Sequence, residues 1–170
     1  FALKDEQCPI AAALFRRVGY VPLSRIVRYA RVLRHGDYLR GRLPGFLAAP
    51  AGRMLDVLDR VRLRARARGL SAQWRPRADE SLAALWSDAE AGRGPVAIRG
   101  LEFLQWRLDQ SPLVALRYLV VCAGDGGVLS WFACEGRGRV LYVHDFWSRD
   151  GAAGPGPGEL AMLLRAARAE

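Results

Sequence analysis

VLYVHDFW (Val140–Trp147), SRDGAAGPGPG (148–158) and ELAMLLRAARAE (159–170) read in succession as a strand, a loop and a helix. β-Branched and aromatic residues dominate the first piece, and glycine and proline dominate the second. In the third, Leu160, Leu163, Leu164 and Ala167 share one helical face. A strand, a glycine-rich loop and a helix N-terminus together form an anion cradle, because the first four N–H groups of a helix have no internal partner.

Working back towards the N-terminus, two more strand-like runs, Arg117–Ala123 and Val128–Glu135, precede a third at Arg139–Trp147. The turns between them, Gly124-Asp-Gly-Gly127 and Gly136-Arg-Gly138, hold the residues that tight hairpins need. Upstream, Leu70–Arg75 predicts a short strand. Asp79 or Ser81 is placed to cap a helix bearing Leu82, Leu85, Trp86 and Ala89, and Gly92–Pro95 breaks it. Leu101–Leu108 predicts a second helix, closed by Ser111 and Pro112. The order strand, helix, helix, three strands and helix predicts an α+β (mixed α/β) domain with a mostly antiparallel twisted sheet flanked by helices. Trp106 and Trp131 are expected as core anchors, and Trp147, at a strand end beside the loop, as a residue lining a ligand cleft.

The first part of the chain reads differently. Glu6–Val18 has helical spacing at Ile10, Ala13, Leu14 and Val18, Gly19 ends it, and Tyr20 to about Leu33 predicts a strand. His35–Pro50, with three glycines and two prolines, predicts a linker. Beyond it, Met54, Val57, Leu58, Val61 and Ala65 form a helical stripe expected in the core. Arg60, Arg64 and Arg68 line another face, with Asp56 placed to pair with Arg60.

Composition sets the outer bounds. With 170 residues and 51% hydrophobic content, a sizeable core can be buried. No run supplies the roughly 18 apolar residues of a membrane span, since Arg117 interrupts the best candidate. Cys8, Cys122 and Cys134 share no close spacing, which predicts no disulfide framework and a cytoplasmic setting, with Cys122 and Cys134 as inert core residues. His35 and His144 have no metal-ligand spacing, so no metal is expected. Charge is uneven: 17 basic and 5 acidic residues up to position 77 give +12, whereas 9 basic and 12 acidic residues after it give −3. An anionic partner is a physical expectation for the first part.

The succession from Leu70 onward resembles the first two thirds of the fold of the GNAT superfamily of N-acetyltransferases. Ala11-Ala-Ala-Leu-Phe15-Arg-Arg-Val-Gly19-Tyr20 resembles the pattern at the end of that family's fourth helix. LAALW at Leu82–Trp86 and RGLEFLQWRLDQSP at Arg99–Pro112 are similar to bacterial members that carry two such modules in tandem. The resemblance divides the chain into a C-terminal-type segment over 1–34, a linker and basic helix over 35–69, and an N-terminal-type segment over 70–170. The expected whole is a circularly permuted or incomplete module. Beginning at Phe1, the chain is expected to lack an upstream part.

What the resemblance implies is transfer of an acyl group from acetyl-CoA or another acyl-CoA to an amine. The pantetheine would lie along Val140–Trp147 and the pyrophosphate over the following loop and helix start. The implied cofactor residues are Phe146, Trp147, Ser148, Arg149, Gly151, Gly154 and Gly156. The chain departs from the family in the register of its glycines and at Phe15, which stands where the family's helix-four tyrosine stands. Pro155 and Pro157 remove amide donors, and Glu159 would repel a phosphate unless it caps the helix. The catalytic base is not specified: Glu135, His144 and Asp145 are candidates, but regular alternation puts His144 and Asp145 on opposite faces. The CoA thioester and the amine are the implied partners, with a homodimer or a second module of the same kind as a further possibility. The alternative is a noncatalytic module of this kind, or a basic module binding an anionic partner such as nucleic acid, which ranks lower for want of a recognition motif.

Overall fold

The computed structural model describes residues 9–21, 29–88 and 98–169. The chain forms two compact units, 1–31 and 32–170. In the first, helix α1 (Pro9–Arg17) ends at Gly19, which takes a φ of +87° that side-chain-bearing residues avoid. The Tyr20 N–H donates to the Phe15 carbonyl, and the two rings meet edge-on at 5.4 Å. Of the strand expected from Tyr20 to Leu33, positions 22–28 lie outside the described residues, and the described flanks are not in a strand.

The second unit is α+β. Its elements run α2 (His35–Arg40), α3 (Gly45–Arg66), β1 (Ser71–Arg75), α4 (Glu80–Asp88), α5 (Leu101–Leu104, continued by a π turn over Gln105–Asp109), β2 (Arg117–Cys122), β3 (Val128–Arg137), β4 (Val140–Ser148), a 3₁₀ turn (Gly151–Ala153) and α6 (Pro157–Ala169). The four strands form one antiparallel sheet in the order β1-β2-β3-β4.

Alternation along the strands separates two cores. Tyr118, Val120, Trp131, Ala133 and Trp147 face Leu82 and Leu85 of α4, Leu104 of α5 and Leu108 of the π turn. Leu119, Val121, Phe132 and Cys134 face Leu63 of α3, with Ala67 just beyond it, and Ala161 and Met162 of α6. Each buried aliphatic or aromatic side chain contributes about 1.5–3 kcal/mol, so helices are held on both faces of the sheet. Trp131 is a core anchor as expected. Trp106 is not, because it lies between Leu104 and Leu108 on the opposite side of its helix and is exposed.

The start of α4 is fixed by Asp79. Its Oδ1 accepts from the Ser81 and Leu82 amides (3.0 and 3.3 Å), and its Oδ2 from Arg75. Burial pushes this carboxyl upward, but Ser81, Arg75 and the Leu82 amide outweigh it and hold it below its ordinary value. A depressed folded-state pKa stabilises the fold above the unfolded-state value and ceases to do so as pH falls through the folded one. Asp79→Ala is therefore expected to cost about 1 kcal/mol at pH 7. The difference from the parent should shrink below about pH 4, as read from urea midpoints at pH 7 and pH 3.

Three expectations for 35–66 are corrected. The stretch 35–50 is helical over 35–40 and from Gly45 onward, with Pro50 inside α3. The stripe Met54, Val57, Leu58 and Val61 points to solvent, with Met54 and Val61 each 61% exposed. The packing side of α3 instead carries Ala48, Gly52 and Leu63. A Cβ on Gly52 would stand 2.5 Å from the Gly36 Cα, so this glycine marks where α2 and α3 touch. Asp56, expected to pair with Arg60, instead accepts from His35 Nδ1 at 2.7 Å and lies 3.9 Å from Arg168.

Candidate functional site

β4 is the last strand of the described sheet, and its pairing with β3 contains a bulge. Ala133 opposes Asp145 and Cys134 opposes Val143, so His144 is an extra residue with no partner. A bulge re-aims side chains by breaking strict alternation. It overturns the expectation that His144 and Asp145 face opposite ways. Asp145 pairs across from Ala133, which belongs to the α4/α5 core, and His144 Nε2 meets Glu135 Oε2 at 2.8 Å, with Glu135 two residues beyond Ala133 on that same face.

Around these residues runs a polar band. Glu135 also accepts from Arg137. Arg137 is foremost in holding the Glu135 carboxyl below its ordinary range, burial opposes it, and His144 adds to Arg137's effect. Asp145 accepts from Arg99 at 2.9 Å, and the Arg99 guanidinium lies 4.8 Å above the Trp147 ring. The Tyr118 hydroxyl donates to Asp109 at 2.8 Å, and the second Asp109 oxygen takes the Ala78 amide. Burial foremost, and then Asp109 and Asp145, push the Tyr118 hydroxyl pKa upward, so it acts as a hydrogen-bond donor and not as a base. The Glu135–His144 pair differs from the others in chemistry. A carboxylate accepting from Nε2–H orients the ring and leaves Nδ1 to take a proton.

The residues expected to hold a cofactor are placed as follows. Phe146 is 43% exposed, with its ring 6.2 Å from Phe132. Trp147, expected to line a cleft, belongs to the core on the α4/α5 face. It is 5% exposed, packs on Trp86 at 4.7 Å between ring centroids, and donates to the Leu85 carbonyl. Ser148 is buried opposite Ser130, and neither hydroxyl has a hydrogen-bond partner. Arg149 turns back onto the β2–β3 hairpin: its guanidinium donates to the Val128 carbonyl and its amide to the Leu129 carbonyl. Gly151 is buried and Gly154 takes a φ of +78°. The Gly156 amide donates to the Glu159 carboxylate, so Glu159 caps its own helix. That carboxylate occupies part of the amide cradle that the sequence suggested for a phosphate.

Burial pushes the Cys134 thiol up to about 12, outweighing nearby Arg117, and Cys122 is also buried. Cys8 lies outside the described residues. Among the described residues no group of three or more potential ligands is placed to hold a metal, and no helix is long and apolar enough to cross a membrane. The bulge and the Arg99–Asp145 pair were not readable from the sequence, because VHD carries no glycine or proline to mark a break in alternation.

No family model, curated protein or solved structure matches this chain.

Proposed function

We propose that the chain is an acyl-CoA-dependent N-acyltransferase, or the larger part of one, with β4 as the strand along which the thioester carrier lies. The observation that carries this reading is the bulge at His144. It puts a carboxylate-oriented imidazole on the last strand of the sheet, beside the backbone edge that a pantetheine amide would pair with. The order strand, two helices, three antiparallel strands and helix supports it, being the order that the resemblance expects. In this role His144 Nδ1 takes the proton of the incoming ammonium, and Glu135 holds the imidazolium that results. The amine then attacks the thioester carbonyl, the carbon–sulfur bond breaks, and the proton shed by the attacking nitrogen passes to the departing thiolate to give CoA. Holding both reactants against β4 supplies much of the acceleration. Glu159 leaves less of the α6 start for the pyrophosphate, so backbone contacts along β4 carry the larger share of binding.

The direct test is a thermal shift with acetyl-CoA. A ligand held at 100 times its dissociation constant stabilises by about 2.7 kcal/mol, which for a chain of this size raises Tm by about 5–10 °C. Absence of any shift at millimolar acetyl-CoA and at millimolar longer acyl-CoA would remove the acyl-transfer reading.

A further inference from the structure

Between α3 and α6, at the end of α6 away from the glycine loop, two adjoining clefts open, of about 370 and 330 Å³. Arg60 and Arg168 line both. Arg34 and Arg139 complete the basic wall of the first, and Arg64 and Arg165 that of the second. The first also contains Asp37 and Asp56, and each of these carboxylates is already engaged, Asp37 by Arg40 and Arg139 and Asp56 by His35. Among the described residues the second has no carboxylate in its lining. Arg60 and Arg64, one helical turn apart, make no ion pair among the described residues. Arg168 is tied to Asp59 at 2.8 Å, yet its Nε is buried without a hydrogen-bond partner, and its side chain is only 11% exposed.

Arg139 and Arg168 are paired with carboxylates, but Arg34, Arg60, Arg64 and Arg165 still bring like charges together around the two concavities, which costs free energy. A bound anion reverses that cost. Planar guanidinium forks match phosphate oxygens two at a time, and two clefts sharing a pair of arginines suit groups linked to one another more than a single carboxylate. We infer that the two clefts form one binding site for a ligand carrying two or more phosphate groups. The site is separate from the one proposed for acyl-CoA. At 1.5 Å per residue, α6 places Arg168 about 18 Å from Gly156, beyond the reach of a pyrophosphate seated at the glycine loop. Nucleotide phosphates and the backbone of a single-stranded nucleic acid share the required chemistry.

The test uses two probes, inorganic tripolyphosphate by calorimetry and a fluorescein-labelled oligothymidylate by anisotropy. They are measured on the parent chain, on Arg60→Ser/Arg64→Ser, and on Arg62→Ser/Arg68→Ser, which removes the same charge outside the clefts. The expected result is saturable binding to the parent, weakened tenfold or more in the cleft variant and less than twofold in the control. Circular dichroism is expected to be unchanged in both variants, because none of the four arginines has an ion-pair partner among the described residues and all four are exposed. If the oligonucleotide binds, the slope of log K against log salt should flatten by about 1.4 in the cleft variant, for two lost phosphate contacts. Binding of tripolyphosphate alone supports the site and points to a nucleotide, and binding of the oligonucleotide supports it and points to a strand. No binding of either probe, or equal weakening in the two variants, overturns it.

Discussion

Trp147→Ala should cost the second unit about 3–5 kcal/mol, enough to remove much of the stability of a domain held by about 5–15 kcal/mol. The ring is 5% exposed, packs at a tilt against Trp86, lies under the Arg99 guanidinium and donates its N–H to the Leu85 carbonyl. Truncation leaves a cavity where β4 meets α4 and strips the Leu85 carbonyl of that donor. Phe146→Ala, one residue earlier on the other face and 43% exposed, should cost well under half as much. Urea denaturation of the two variants reads the contrast directly. A Trp147 loss no larger than that of Phe146 would mean that the indole faces a ligand space and that α4 does not close over it.

The strands were legible because Arg117–Cys122, Val128–Arg137 and Val140–Ser148 combine β-branched and aromatic residues with glycine-marked turns. The cap at Asp79 was legible because its chemistry is local. Local reading failed where tertiary contact decides. In α3 the larger apolar residues suggested the buried side, but the contact with α2 needs close backbone approach, so Gly52 and Ala48 face inward and Met54 and Val61 face outward. Glycine read as a breaker was here a contact point. The proline and glycines over 35–50 misled in the same way, since Pro50 removes one helical hydrogen bond without ending a helix held by its neighbours. The candidate site was legible only as residue types. Glu135, His144 and Asp145 stood out as groups able to carry a proton, but an unmarked bulge brought His144 to the face of Asp145.

That bulge gives the acyl-transfer reading its sharpest consequence. His144→Ala should lower kcat/KM for amine acylation by about 10²–10⁴, the range for loss of a positioned general base, while the thermal shift with acetyl-CoA stays as in the parent. Half-exposed at the strand edge, His144 anchors no core, so the fold should tolerate the change. Loss of activity alone would not separate a proton acceptor from a residue that merely shapes β4. Free imidazole separates them, since added base can occupy the vacated space beside Glu135 and restore rate in proportion to its concentration, which a distorted strand would not allow. Glu135→Gln keeps a hydrogen-bonding group beside the ring but removes the charge that stabilises the imidazolium, so its loss should be smaller and unresponsive to imidazole. Undiminished turnover in His144→Ala would exclude His144 as the base. It would leave Asp145, held by Arg99 on the same face, as the next group to replace.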